Sequence, residues 1–397
     1  MKKVYLIANY FHFPKEKESN RFLDLAKLIS LDRDIDLEVI TSIFYQRTKT
    51  IRKQLLDLQN SVPFKVTFID EPGYSKNISF KRLKSSKIFG LNVLKYIKEN
   101  KKPDLIYIVV PTLDVGDLIS KWAKKENIPL IIDVQDLWPE AFKMAFNIPV
   151  ISNLLFLPYL TKANRIYKRA DCINGVSNTN VERAMSVNKR VKPHNSVFIG
   201  IDLKRFDCYA KEPYDFQMRD NCKKLVYCGS LDKSYDIPLV IDALALLKSP
   251  PKFIVAGDGY MRSEFEEYAK KKNVDCLFLG YLPYEKMCSL LNRCDIAVNP
   301  IISKSVASII NKHGDYCAAG LPIINTQTSL EYRELIEKYN MGFNCDNAEQ
   351  IADSIELLCE DENLRNQMCH QSRKCAEEKF DRNATYPILY KSIKSFL

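Results

Sequence analysis

The sequence predicts an α/β protein made of two tandem doubly wound, Rossmann-like domains. Three observations carry this. Short apolar runs alternate with segments of helical period; the runs are apolar throughout; and the alternation pauses over residues 200–222 before a second series begins. Strands apolar on both faces belong to parallel sheets covered by helices on both sides. Right-handed crossovers then wind each sheet doubly.

In order along the first domain (1–200), Val4–Ala8 reads as a strand and Arg21–Leu31 as a helix, with Phe22, Leu25, Ala26 and Ile29 on one face. Strands are expected at Leu37–Thr41, Phe64–Ile69, Leu105–Val110 and Leu130–Val134, and helices at Ile88–Asn100 and Val115–Glu126. Cys172–Val176 and Ser196–Ile199 complete the series. Residues 200–222 have scattered charges, Pro213 and no period, and read as a linker. The second domain (201–380) repeats the pattern. Its strands are expected at Lys224–Cys228, Lys252–Ala256, Cys276–Leu279, Ile296–Asn299 and Pro322–Asn325. Its helices are expected at Pro238–Leu247, Met261–Lys272, Glu285–Arg293, Lys312–Ala319, Ala348–Cys359 and Leu364–Lys379. Open parallel sheets take ligands at the carboxyl ends of their strands, and two facing sheets predict a cleft suited to two substrates.

The 397 residues suffice for two full cores, and the net charge of +10 is uneven. Residues 1–200 carry +13 and the remainder −3, so the first half calls for an anionic partner. All twelve cysteines lie between Cys172 and Cys375, which reads as reduced thiols in a cytoplasmic protein. The start Met1-Lys-Lys-Val-Tyr-Leu-Ile-Ala-Asn-Tyr reads as a first strand and not a leader. No run of 18 apolar residues predicts a spanning helix.

Motifs narrow the chemistry. Ala256-Gly257-Asp258-Gly259 lacks the third glycine of the dinucleotide fingerprint, and no Walker loop occurs. His12, His194, His313 and His370 have no ligand spacing, and the cysteine pairs have no zinc spacing; no metal or other cofactor is expected. The most informative stretch is Ile310-Asn-Lys-His-Gly-Asp-Tyr-Cys-Ala-Ala-Gly-Leu-Pro-Ile-Ile324. Asn311 is expected to cap a short helix, whose N-terminus suits a phosphate. Asp315, on its first turn, suits sugar hydroxyls, or is simply a surface acid.

This stretch resembles the nucleotide-contacting segment of the retaining nucleotide-sugar glycosyltransferases of family four, which have the GT-B fold. Asp133-Val-Gln-Asp-Leu-Trp-Pro-Glu140, Tyr167-Lys-Arg-Ala-Asp171, Gly175-Val-Ser177, Val226-Tyr-Cys-Gly-Ser230, Ala256-Gly-Asp-Gly259, Phe278-Leu-Gly-Tyr281 and Cys294-Asp-Ile296 follow in the family's order. The chain looks like the bacterial branch that builds capsule, lipopolysaccharide O-antigen and other exopolysaccharides. The resemblance implies transfer of a sugar from a nucleotide-sugar, UDP favoured, to a growing glycan, usually polyprenyl-diphosphate-linked, at the inner leaflet. It also implies that the last segment, 381–397, crosses back to the first domain. Nucleic acid is not an expected partner, since basic and aromatic residues are not interleaved.

By resemblance, Asp315 stands where the family's ribose-binding glutamate falls, and Ala307 where its first glutamate falls. Gly280 and Tyr281 would lie near the base, Gly257 in the donor site, and the loop 303–311 against the sugar and diphosphate. The family's diphosphate-neutralising arginine and lysine fall at Ser230 and Tyr235, leaving Lys233 and Lys312 as available cations, with Lys312 first and His313 beside it. Transfer in this family proceeds by front-face attack, the leaving diphosphate taking the acceptor's proton. Asp136 is expected either to orient donor sugar or acceptor or to cap the helix after it. His12 and Arg21 are candidate acceptor contacts.

Lys81-Arg-Leu-Lys-Ser-Ser-Lys87 is a compact cationic patch. Ile148–Leu160 is strongly apolar and precedes Lys162, Arg165, Lys168 and Arg169, a pattern suited to an anionic bilayer surface. Two other readings stay open: a nucleotide-sugar epimerase, and a non-catalytic partner subunit suggested by the missing Arg, Lys and Glu.

Overall fold

The computed structural model describes residues 1–14, 16, 21–77, 79–140, 149–191, 193–213, 222–302 and 309–397, with the side chains of 149–155 outside the description. The chain divides into two compact units, residues 1–198 with 385–397, and residues 199–384.

The first unit runs β1 (Lys2–Ile7), α1 (Arg21–Ser30), β2 (Ile35–Ser42), β3 (Phe44–Tyr45), β4 (Thr50–Ile51), α2 (Leu55–Asn60), β5 (Lys65–Ile69), α3 (Phe80–Glu99), β6 (Leu105–Val110), α4 (Leu113–Lys125), β7 (Leu130–Val134), α5 (Pro149–Arg169), β8 (Cys172–Gly175), α6 (Asn178–Met185) and β9 (His194–Ser196). Seven strands form one parallel sheet in the order β5-β2-β1-β6-β7-β8-β9; β3 and β4 pair separately as a hairpin. Alternate residues feed two cores: Tyr5, Ile7, Ile106 and Ile108 pack on one face, and Val4, Leu6, Leu105 and Tyr107 on the other. Burial on both faces is why these strands read as unbroken apolar runs.

Two elements depart from expectation. The third helix starts at Phe80 rather than Ile88, because its first two turns are polar. Ser79 caps it, its hydroxyl accepting from the Arg82 N–H at 3.2 Å. The helix α5 runs through Pro158. Its expected free cations are largely paired with carboxylates of α4: Lys162 with Asp114, and Arg165 and Arg169 with Asp117 at 2.6 and 2.8 Å. That neutralisation weakens the case for α5 as an electrostatic anchor.

The second unit runs α7 (Leu203–Ala210), β10 (Lys224–Cys228), α8 (Ile237–Leu246), β11 (Lys252–Ala256), α9 (Arg262–Lys271), β12 (Cys276–Gly280), α10 (Tyr284–Leu291), β13 (Ile296–Asn299), α11 (Asn311–Ala318), β14 (Ile323–Asn325), α12 (Leu330–Tyr339), β15 (Gly342–Asn344), α13 (Ala348–Glu360), α14 (Glu362–Cys375) and α15 (Arg382–Lys394). Its sheet is parallel in the order β12-β11-β10-β13-β14-β15. The stretch read as linker holds α7, capped by Asp202 and burying Leu203, Phe206 and Ala210 among its charges. From Thr385 onward α15 belongs to the first unit, where Tyr386, Leu389 and Ile393 join the core around Val4 and Leu6.

Candidate functional site

In the second unit the ends of β10, β11 and β12 are tied backbone to backbone. The Gly229 N–H donates to the Ala256 carbonyl at 2.9 Å, Leu231 to Asp258 at 3.0 Å, and Gly257 to Gly280 at 2.8 Å. A Cβ on Gly257 would stand 1.7 Å from the Gly229 carbonyl oxygen, and Gly257 has φ of 154°. Only glycine allows that approach. The lost third glycine of the fingerprint is therefore irrelevant here: this pair serves strand-end packing.

Against these ends sits the start of α11. The Lys312 ammonium lies 4.2 Å from the centre of the Tyr227 ring and 3.9 Å from that of Tyr235. It is buried and has no hydrogen-bond partner among the described residues, and a Cβ on Gly229 would lie 2.5 Å from it. Burial lowers its pKa from 10.5 to about 7, against smaller opposing effects of Cys228 and Asp232. Two ring faces do not replace the hydration of an ammonium, so this cation is underpaired. Tyr235, where the family's lysine was expected, is one wall of its cage.

Asn311 is the first residue of α11 and is exposed; the position before the helix is Ile310, so Asn311 is not the cap. Asp315 accordingly falls on the second turn. It is 9 % exposed, and its Oδ1 accepts from the Tyr284 hydroxyl at 2.9 Å. Burial lifts its pKa to about 7, partly offset by the Tyr284 hydrogen bond and the charge of Arg382. His313 is fully buried, stacked on Tyr332 at 3.5 Å with planes 4° apart, and its Nδ1 accepts from the Ile310 N–H. Burial and then Lys312 hold its pKa well below the usual value, so the ring is neutral. Its Nδ1 is thus engaged, while its buried Nε2 has no hydrogen-bond partner among the described residues; no observation sets the ring against a phosphate.

Ser230 is exposed and its carbonyl accepts from the Tyr227 hydroxyl at 2.7 Å; Lys233 is exposed, its N–H donating to the Tyr260 hydroxyl at 3.3 Å. Gly280 takes a left-handed φ of 72°, and Tyr281 beside it is 61 % exposed. The strand ends and the start of α11 thus gather Ser230, Lys233, Gly257, Gly280, Tyr281, Lys312 and Asp315. Position 307 and most of the loop 303–311 lie outside the described residues. Tyr227 and Tyr284 were missed by sequence reasoning, being indistinguishable there from core aromatics.

In the first unit, Asp136 follows β7. Its surface is exposed, yet the protein around its carboxylate lifts its pKa by desolvation, against the charge of Arg82. The helix it was expected to cap lies outside the described residues beyond Glu140. His12 is half-buried, edge-on to Tyr45 with centroids 6.0 Å apart. Arg21 is corrected outright: it is 3 % exposed, its Nε and Nη2 donate to Asp133 at 3.1–3.3 Å, and its Nη1 donates to the carbonyls of Val197 and Phe198. With every nitrogen engaged it cannot serve an acceptor. Among the described residues no three His, Cys, Asp or Glu side chains are grouped to hold a metal, and no helix is long and apolar enough to cross a membrane.

Residues 211–375 match the family model described as glycosyl transferases group 1. The chain carries a glycosyl transferases group 1 domain. A curated relative from Campylobacter jejuni, the N-acetylgalactosamine-N,N'-diacetylbacillosaminyl-diphospho-undecaprenol 4-alpha-N-acetylgalactosaminyltransferase, is 24% identical over 208 residues, 50% of this chain and 54% of the relative. The match thus spans about half the relative's length. Among solved structures, Anabaena HepE in complex with UDP aligns over 100% of both chains with TM-score 0.69 and 16% identity. Sucrose-phosphate synthase of Thermosynechococcus elongatus aligns over 100% of this chain and 99% of its own, with TM-score 0.71 and 13% identity. WaaG, a glycosyltransferase involved in lipopolysaccharide biosynthesis, covers 96% of this chain and 98% of its own, with TM-score 0.63 and 16% identity. These likenesses fix the fold: two Rossmann-like halves, as in GT-B glycosyltransferases.

Proposed function

We propose that this protein is a retaining glycosyltransferase that moves a sugar from a nucleoside-diphosphate sugar, UDP favoured, to a polyprenyl-diphosphate-linked glycan for a bacterial cell surface. The observation that carries the reading is the buried, unpartnered Lys312 ammonium, caged by Tyr227 and Tyr235 beside the glycine-tied strand ends. A diphosphate is the ligand such a cation lacks. Relatives support the class: the Campylobacter jejuni enzyme is named for an undecaprenol-linked substrate, and HepE was solved with UDP.

In this reading Lys312 and the first N–H groups of α11 balance charge on the diphosphate, and Asp315 accepts from ribose hydroxyls. Gly280 and Tyr281 lie by the base, with Ser230, Lys233, Gly257 and Asn311 around the donor. The anomeric carbon–oxygen bond to the diphosphate breaks while the acceptor oxygen bonds to that carbon from the same face. The acceptor's proton passes to the departing phosphate oxygen. Asp136 orients a sugar hydroxyl, and the protein works by placement and charge stabilisation without a nucleophile or metal. The enzyme acts on the cytoplasmic side of the membrane that holds its acceptor.

The test is thermal stabilisation by UDP, GDP and their sugars, on wild type and Asp315→Ala. A ligand at 100 times its Kd adds about 2.7 kcal/mol. A shift in wild type that is lost in the variant supports the donor site and identifies the base. Wild type unmoved by every nucleotide overturns the reading.

A further inference from the structure

An apolar groove in the first unit is not used by the donor chemistry. It encloses about 410 Å³ between the N-terminal half of α3, the start of α4, the turn after β7 and α5. Phe80, Leu83, Leu113, Trp138, Phe156 and Tyr159 line it, and Phe80 stands 90 % exposed at its lip. With the half-buried Leu83, Trp138, Phe156 and Tyr159 it forms a contiguous apolar surface, the kind that marks a binding site.

One edge of the groove is cationic. The Arg82 guanidinium lies 4.6 Å from the centre of the Trp138 ring, so the groove's wall and its charge share one side chain pair. Arg82 donates to the Asn77 carbonyl at 2.9 Å, while the Lys49 ammonium donates to the Asn77 side-chain oxygen at 2.5 Å. The two cations are close enough that Arg82 adds to the burial that depresses the Lys49 pKa. Among the described residues neither forms a salt bridge. Asp136 feels Arg82 electrostatically and lies two residues before Trp138. Arg82 lines the groove, also reaches the Tyr10 hydroxyl at 3.4 Å and packs on the Tyr74 ring; Lys49, joined to it through Asn77, packs on the same ring just outside the lining. An apolar slot ending at cations that no carboxylate neutralises matches a ligand with a hydrocarbon tail and an anionic head.

We propose that this groove binds the first prenyl units of the lipid-linked acceptor, with its diphosphate on Arg82 and Lys49. The proposal rests on the acceptor class given above and assigns it a site. The groove's volume lies within the range of small-molecule pockets, and its lining has the apolar character they share. The diphosphate at Arg82 would bring the head group to Asp136.

The experiment reads binding without transfer, so its failure is separable from failure of the glycosyltransferase reading. The chain has two tryptophans, and Trp122→Phe leaves Trp138 as the sole reporter. Farnesyl diphosphate, farnesol, inorganic diphosphate and phosphatidylglycerol vesicles are titrated against that variant. The expected result is a saturable change in Trp138 emission with farnesyl diphosphate, abolished by Leu83→Glu. Arg82→Gln should weaken farnesyl diphosphate roughly tenfold and leave farnesol unchanged. UDP stabilisation, which reports folding and the donor site, should survive both substitutions. No saturable response to farnesyl diphosphate overturns the proposal, as does a response to vesicles equal to that for the prenyl ligand, or equal weakening of farnesol by Arg82→Gln.

Discussion

Replacing Lys312 by methionine separates a structural lysine from one kept for a ligand. Its pKa falls from 10.5 to about 7. At about 1.4 kcal/mol per unit, that depression means roughly 4–5 kcal/mol lost from the folded state at neutral pH. The Tyr227 and Tyr235 faces return about 1–2 kcal/mol each. Lys312→Met keeps the stem and removes the charge, so at neutral pH the unliganded variant should be up to about 3 kcal/mol more stable than wild type. The pH dependence has a definite sign. Between about 7 and 10.5 the unfolded lysine holds its proton and the folded one does not, so this residue's contribution to stability rises with pH. The advantage of Lys312→Met is therefore largest at and below pH 7 and shrinks toward pH 9. Urea denaturation of both proteins at the two pH values measures it. In the same samples UDP should bind the variant roughly 10–100-fold more weakly, the worth of a charged hydrogen bond. A variant less stable than wild type at pH 7, with a gap that does not change by pH 9, would refute the underpaired cation. Unchanged UDP affinity would refute its role.

Three further outcomes follow from the same geometry. Asp315 ionises at about 7 when folded against 3.8 otherwise, so stability is lost as pH rises between those values; Asp315→Asn should flatten that slope in melts from pH 5 to 8, by up to about 4 kcal/mol at the upper end. Gly257→Ala forces a methyl against the Gly229 carbonyl and should cost at least about 3 kcal/mol in urea titrations, with loss of nucleotide stabilisation. Arg21→Ala leaves Asp133 buried and unpaired and should cost roughly 3–5 kcal/mol by circular-dichroism melts, whereas Tyr107→Phe, which removes one of several donors to Asp133, should cost only about 1–2 kcal/mol.

The strands were legible because burial on both faces leaves a direct mark: β6 and β7 have the bounds that their apolar runs predict. The helix α7 was not, since three buried side chains in a charged octet leave too little period to see. Charge type alone misjudged one cation, Arg21, and did not reveal what sets Lys312 apart from it. Arg21 opens α1 and was a candidate acceptor contact. Lys312 is the second residue of α11, among residues of ordinary helix-start type. What distinguishes them is contributed by distant chain: Asp133, 112 residues along, holds the first, and the rings of Tyr227 and Tyr235 hold the second. Both cations are enclosed, so burial does not separate them either. The count of engaged donors does. Every nitrogen of Arg21 already donates to protein oxygen, which makes it a strut; among the described residues the Lys312 ammonium donates to none, and N–H bonds withheld from water without replacement are a cost that a bound anion would remove.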